Sequence, residues 1–507
     1  MASDEETRLE RDRREKAARL RAAGVEPYPW SYPGRVPSQQ VVDACRTLAP
    51  GTSAEGVTFR IAGRLVSVRA HGKSAFLDLS DASGDLQLFA RVDDLGEEPF
   101  RRWMADLDPG DIVGADGVPT VTRRGEPSLR VTAFTLLAKA IAPPPEKYHG
   151  LKDPEERIRR RYVDLLSSPE SRARFTARSL LVRELRRFVE GEGFLEVETP
   201  VLTRIASGAA AQPFRTRSNF LDDDLQLRIA LELPLKRLLV GGLERVFEVS
   251  HVFRNEDLDS IHSPEFTMFE LYWAYEDYEA MASLVERLYG HLARTAASIL
   301  PGVAAAQEAP ELFRAPFARV DWVEALERAS GISHVLQKDR DSLRELARGV
   351  GATVPADSPP GVFLDKLFSH YVEPTLQRPT FVMDFPESTT PLAKRHRSRP
   401  GRVERFELYC RGSELGNAYT ELNDPDEQER RFRAQLSARG EDTYAYDADF
   451  VEALRYGMPP ATGVGIGVDR LVMALTGTAS IKDVILFLPT RERDGDRPAA
   501  GAPTAPR

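Results

Sequence analysis

Residues 244–275 read ERVFEVSHVFRNEDLDSIHSPEFTMFELYWAY. Two apolar-rich runs, Glu244–Arg254 and Phe266–Tyr275, flank a polar loop, the pattern of two strands and their connection. That arrangement sets Arg254, Asn255 and Glu256 at the end of one strand, and His262 through Phe266 at the opening of the next. An arginine placed there can fork onto a phosphate, and a phenylalanine can stack on a base. The stretch can hold a nucleotide; it can equally be an ordinary charged hairpin.

Farther along, Gly463-Val464-Gly465-Ile466-Gly467-Val468-Asp469-Arg470 runs into an apolar helix, Leu471–Leu475. Alternate glycines permit close backbone approach, and Arg470 at their end can stack on a purine. The G-x-G-x-G spacing, with no strand–helix–strand repeat around it, is not the dinucleotide fingerprint. Between these stretches, Glu407 and Glu414 stand seven residues apart in ERFELYCRGSELGNAYTELND (404–424). On adjacent antiparallel strands such a pair can share Mg²⁺ bridging nucleotide phosphates; on an exposed hairpin they are surface acids. Flanking Phe406, Leu408 and Leu415 favour a partly buried sheet.

Outward from this region the texture changes. Residues 5–23 read as a charged helix ended by Gly24, Pro27 and Pro29. Val57–Arg69, Ala75–Ser80, Asp85–Ala90, Asp111–Ala115 and Ser128–Leu136 then read as five short strands, for which a small closed OB-fold barrel is the economical candidate. Pro143–Pro145 stiffens a connector. Glu170–Glu190 is amphipathic, with Ala177, Leu181, Leu185 and Phe188 at helical spacing. The expected organisation is α+β: an N-terminal helix and connector (1–56), the barrel (57–142), a linker (143–168), a second domain (169–493) with an insertion near 300–380, and a disordered tail (494–507).

A chain of 507 residues predicts two or more domains, and its 42% hydrophobic and 29% charged residues fit a soluble globular protein. It has no run of about 18 apolar residues, and its charged N-terminus lacks the apolar core of a secretory signal. Cys45 and Cys410 make neither a disulfide framework nor a zinc site, which suits the cytoplasm. The net charge of −9 is awkward for a nucleic-acid binder. Binding, however, depends on where positive charge sits. Arg8–Arg21, Arg157–Arg161 and Lys394–Arg402 are basic clusters, each of which can also be a solvated face.

GFLEVETPVL (Gly193–Leu202), with Pro200, is similar to motif 1 of the class II aminoacyl-tRNA synthetases. The stretch 244–275 resembles motif 2, and GVGIGVDRLVM resembles motif 3; all three occur in order. Between them, SGAAAQPF (Ser207–Phe214), LRIALELPLKRLLVGG (Leu227–Gly242), PLAKRHRS (Pro391–Ser398) and ELGNAYTELNDP (Glu414–Pro425) resemble the lysine branch, so the resemblance covers residues 5–490. It implies an OB-fold anticodon-binding barrel followed by a class II catalytic domain, built on a mostly antiparallel sheet flanked by helices and dimerised through motif 1. The implied enzyme is a lysine-tRNA ligase. It would activate L-lysine with ATP, use Mg²⁺ (about two to three ions with ATP) without zinc or an organic cofactor, and charge lysine tRNA without any membrane.

By the same resemblance, Arg254 would contact the α-phosphate and the substrate carboxylate, and Glu256 the adenine amino group. Phe266 and Arg470 would sandwich the ring, His262 would reach the distal phosphates, and Glu407 and Glu414 would hold Mg²⁺. Gly208, Glu232, Glu270, Tyr272, Asn417, Tyr419 and Glu421 would bind lysine. The chemistry agrees: carboxylates replace the water shell of an ammonium that is costly to bury unpaired, and aromatic faces line its stem. An aspartate pocket would need a cation instead. These glutamates can alternatively pair with Lys236 or Arg237. Arg69, Phe76, Gln87 and Glu126 match positions that read the uridine-rich anticodon, although Phe76 can also be a core residue. The chain departs from the branch at Asp257 (usually Gly), at Ser263 (usually Asn) and in LFLPTRERD (486–494). Two alternatives remain: a lysine-activating paralogue with a non-tRNA acceptor, and a non-catalytic RNA-binding protein.

Overall fold

The computed structural model describes residues 7–145, 150–209, 211–355, 358–439 and 446–490. The expected tail and the first two residues of the expected N-terminal helix lie outside them. The chain forms two compact units, one within residues 1–169 and one at Glu170–Leu488.

The first unit opens on the helix Arg8–Ala22. Thr7 accepts from the Glu10 amide and Glu10 returns a carboxylate to the Thr7 amide, satisfying amides that a helix start leaves unpaired. Leu20 is buried in the barrel core, while buried Arg13 donates to the Pro109 and Ala140 carbonyls. Five strands, β1 (Phe59–His71), β2 (Ser74–Asp81), β3 (Gly84–Arg91), β4 (Ile112–Val121) and β5 (Pro127–Ala138), close in the order β1-β2-β3-β5-β4. Period-two patterning sets the register. Ala75, Leu77, Leu79, Leu86, Leu88 and Ala90 fill the interior, so Phe76, Asp78, Gln87 and Phe89 face outward.

Two features of this unit differ from the sequence reading. β4 runs six residues past Ala115, because Gly117 and Pro119 read as breakers but sit in the strand beside a bulge at Asp116/Gly117. A helix, Glu97–Asp106, also lies between β3 and β4 and buries Phe100 and Trp103 in the barrel core. Two aromatics one turn apart are too short a pattern to announce a helix.

The second unit holds two sheets. β7 (Leu202–Thr203), β8 (Arg215–Ser218) and β9 (Asp223–Leu227) make a small one, in the order β7-β9-β8. The large one comprises β6 (Leu195–Glu196), β10 (Arg245–Phe253), β11 (Glu265–Ala274), β12 (Ala318–Asp321), β13 (Thr380–Met383), β14 (Arg405–Cys410), β15 (Ser413–Thr420) and β16 (Ala461–Gly467). Its order is β12-β13-β14-β15-β16-β11-β10-β6, antiparallel except for the β12–β13 and β10–β6 pairs. The helices Pro169–Gly191 and Tyr278–Ile299 bury Leu181, Leu185, Leu288 and Leu292 in a core shared with Phe269, Phe406, Val464 and Ile466 of the sheet. The segment 300–380 supplies edge strand β12, together with helices whose Trp322, Leu343, Phe363 and Leu367 build a second core. No helix among the described residues is long and apolar enough to cross a membrane.

Candidate active site

Alternation decides which side chains meet on the free face of the large sheet. On β11, Phe269 and Leu271 point into the helical core, so Met268, Glu270 and Tyr272 point the other way. On β16 the same parity turns Val464 and Ile466 inward and leaves Gly463, Gly465 and Gly467 as a floor without side chains. Asn417 and Tyr419 of neighbouring β15 complete the wall of a cavity of about 440 Å³. Gly208, Glu232, Arg254, Glu256, His262, Phe266, Glu407, Glu414 and Arg470 also line it.

One end of the cavity is acidic. Glu270 accepts from the Leu231 amide (2.9 Å) and from the Tyr272 hydroxyl (3.0 Å). Burial, with the charge of Glu232 added, pushes its pKa up to about 7. Tyr419 donates its hydroxyl to Glu232, and Lys236 Nζ lies 2.6 Å from the same oxygen. Glu421 does not line the cavity. It stands fully buried behind the wall, ion-paired with Lys236, as the alternative reading of these acids had it for Glu232 and Glu421. Burial raises the Glu421 pKa, and Lys236 pulls against that rise. Gly463 matters here: a Cβ on it would stand 2.3 Å from the Tyr272 ring and 2.4 Å from Glu421 Oε1. Gly208 takes φ +90° with its backbone against Glu232, and a Cβ there would lie 3.3 Å from that residue's Cβ.

The other end is cationic and aromatic. Arg254, just past β10, lies over the Phe266 ring at 5.2 Å and donates to the Ile229 carbonyl at 3.3 Å. Arg470 donates to the Ile261 carbonyl (3.3 Å) and reaches within 4.0 Å of Glu414 Oε2. Asp469, beside it, is buried between Arg178 and the Thr267 amide, which fixes the helix start that carries Arg470. His262 bonds Asp259 at 2.8 Å and holds that carboxyl at about 2. Asp257 does not take a positive φ, so its turn asks for nothing that only glycine supplies. The Ser263 hydroxyl is buried at the cavity wall with no partner among the described residues.

Glu407 and Glu414 do lie on adjacent antiparallel strands, although across from Asn417 and Tyr409 respectively rather than from each other. Burial pushes Glu407 up to about 7 against the pull of Arg405, which bonds both Glu407 and Asn417. Glu407 is buried and Glu414 is part-exposed at the cavity wall, and two such hard oxygen donors fit Mg²⁺.

On the barrel, Arg69, Phe76, Phe89 and Arg130 form one cross-strand row on the outer face, and the two rings stack at 4.9 Å. Phe76 is therefore not a core residue. Gln87 sits in the next row and accepts from Ser128, and Glu126 is exposed at the turn before it. Phe89, Arg130, Lys236, Arg405 and Gly463 were not identified as site residues by the sequence reading. Same-face spacing carried the signal for two of them: Arg405 lies two residues before Glu407, and Phe89 lies two after Gln87.

Residues 153–491 match the family model of class II tRNA synthetases (D, K and N), and residues 59–137 match the model of the OB-fold nucleic acid binding domain. The chain is similar to the Lysine–tRNA ligase of Carboxydothermus hydrogenoformans, at 44% identity over 97% of this chain and 100% of the relative. It is 46% identical to that of Roseiflexus castenholzii (96% and 99% covered) and 46% identical to that of Deinococcus radiodurans (94% and 92%).

Proposed function

Because the chain belongs to the lysine–tRNA ligases among the class II tRNA synthetases, we propose that it charges lysine tRNA through the cavity of the second unit. The observation that carries this reading is one cavity with an acidic, aromatic-lined end and an arginine–aromatic end. The acidic end suits an ammonium on a long stem; the other suits a nucleotide triphosphate.

The lysine carboxylate is already an ionised nucleophile at neutral pH. It attacks the α-phosphorus of ATP, a new C–O–P bond forms, the bond to the bridging oxygen breaks, and pyrophosphate leaves. No general base is needed, so the protein contributes position and charge. Arg254 serves the α-phosphate and the substrate carboxylate. Glu256 takes the adenine amino group, Phe266 and Arg470 flank the ring, and His262 meets the distal phosphates. Glu407 and Glu414 would hold Mg²⁺, which would supply neutralisation of the phosphate charge. Gly208, Glu232, Glu270, Tyr272, Asn417 and Tyr419 bind lysine, with Glu421 adding charge from behind. The 3′-terminal ribose hydroxyl of the tRNA then attacks the adenylate carbonyl and AMP departs. Exposed Leu195, Val201 and Leu202 of motif 1 support a homodimer, and the enzyme works in the cytoplasm, with the tRNA pool. A non-tRNA acceptor or a purely RNA-binding role is not favoured, since the relatives match along nearly the whole chain, barrel and cavity together.

The test is ATP–pyrophosphate exchange by the purified protein, which should require lysine and Mg²⁺ and should not proceed with aspartate or asparagine. Exchange with aspartate but not lysine would sink the assignment.

The barrel carries its own prediction. Phe76 and Phe89 together present a two-ring platform on the outer face, flanked by Arg69 and Arg130, and a stacked base is worth about 1–3 kcal/mol. Phe76→Ala should raise the KM for lysine tRNA about tenfold to a hundredfold and leave lysine-dependent exchange unchanged. Equal losses in both assays would remove the anticodon role.

A further inference from the structure

Lys236 follows Glu232 by one helical turn, and its side chain is 0% exposed. Its Nζ lies 2.6 Å from Glu232 Oε1 and contacts Glu421 Oε2, with the rings of Tyr419 and Phe450 at 5.2 and 5.9 Å. The Lys236–Glu421 contact is an ion pair whose two side chains are both 0% exposed. The other titratable groups around the cluster are accounted for. Glu270 and Tyr272 of β11 bond each other, Tyr419 of β15 bonds Glu232, and Arg237 on the same helix is paired with Asp447. The chain thus keeps, next to the cavity, the same functional group that its substrate carries.

We propose that Lys236 is a positioning residue of the amino-acid pocket: its ammonium clamps Glu232 and Glu421 into one unit of single net negative charge, the complement of one substrate ammonium. The inference rests on the lysine-activating function proposed above. Two unpaired carboxylates in a dry site are costly, and the usual escape is proton uptake. Lys236 pulls against that uptake, although burial still holds the Glu421 pKa raised. Burial opposes the charged form of Lys236, but Glu232 and Glu421 outweigh burial and raise its pKa. The clamp also fixes geometry: Glu232 Oε1 is held by both Lys236 and Tyr419, which leaves its second oxygen for the substrate.

The test is the pH dependence of lysine KM and ATP KM in the exchange reaction. In the parent, lysine affinity should fall as pH drops toward and below about 7, because Glu270, at about 7, and Glu421, also raised by burial, take up protons. Lys236→Met removes the charge and keeps the length. Lysine KM at neutral pH should rise at least about tenfold while ATP KM stays within about twofold. The pH midpoint should move up by about one unit or more, since the unclamped pair holds a proton to higher pH.

The double variant Lys236→Met/Glu421→Gln restores the single net charge. Its midpoint should return to the parent value while lysine KM stays raised, because the clamp is still absent. If Lys236→Met fails to fold, the double variant carries the test alone. An unchanged lysine KM and midpoint in Lys236→Met, or a double variant with parental lysine KM, would overturn the proposal. A parent without lysine-dependent exchange would instead overturn the proposed function.

Discussion

Arg254→Ala is expected to slow adenylate formation about 100- to 1,000-fold, the usual loss when a donor aimed at developing charge is removed. The side chain is well placed for that task. It leaves the end of β10, rests on the Phe266 ring and is tied by one bond to the Ile229 carbonyl, so it is fixed before any nucleotide arrives. Burial lowers its pKa, partly offset by Glu256, Glu414 and Glu270. An arginine remains charged even so, and it stands between acids that need a cation. Because charge builds on the α-phosphate only as the new bond forms, turnover should suffer more than the binding of lysine or ATP. Single-turnover adenylation checks this, with thermal unfolding to confirm an intact fold. A rate within about twofold of the parent, well under 1 kcal/mol, would end the α-phosphate role.

Gly463→Ala is the second substitution with a large expected effect, and it adds a single methyl group. That methyl would overlap both the Tyr272 ring and Glu421 Oε1, which close on the glycine from two sides. One of them must move, and overpacking of this kind costs about 1–3 kcal/mol. Tyr272 holds Glu270 and Glu421 holds Lys236, so the displacement falls on the acidic end of the cavity. Lysine KM should rise about tenfold to a hundredfold, with a much smaller change in ATP KM. Parallel losses for both substrates would show that the two ends of the cavity are not independent.

How much of this was legible in the sequence depended on the kind of signal. The five barrel strands and the pair around residues 244–275 were readable because period-two alternation is local. Glu407 and Glu414 could be paired once a hairpin was assumed, but a bulge after Leu408 sets their register, and no composition announces it. Glu421, read as a lysine-binding residue, stands behind the cavity wall and is ion-paired with Lys236 from another element. Position alone does not say which acids a buried lysine will claim. Phe76 was open between core and surface, and only the neighbouring ring on β3 and the parity of Ala75 and Leu77 place it outside.

The central position of β16 bears on how the molecule is made. Residues 461–467 emerge from the ribosome after every other strand of the described residues, yet they fill the slot between β11 and β15. Until then the nascent chain carries two half-sheets, each with an open edge of unpaired amides and carbonyls, the kind of surface that sticks to its like. The same late strand supplies the glycine floor, so the cavity has no complete floor until β16 is in place. Synthesis of this unit thus passes through a vulnerable interval, closed by a single seven-residue strand.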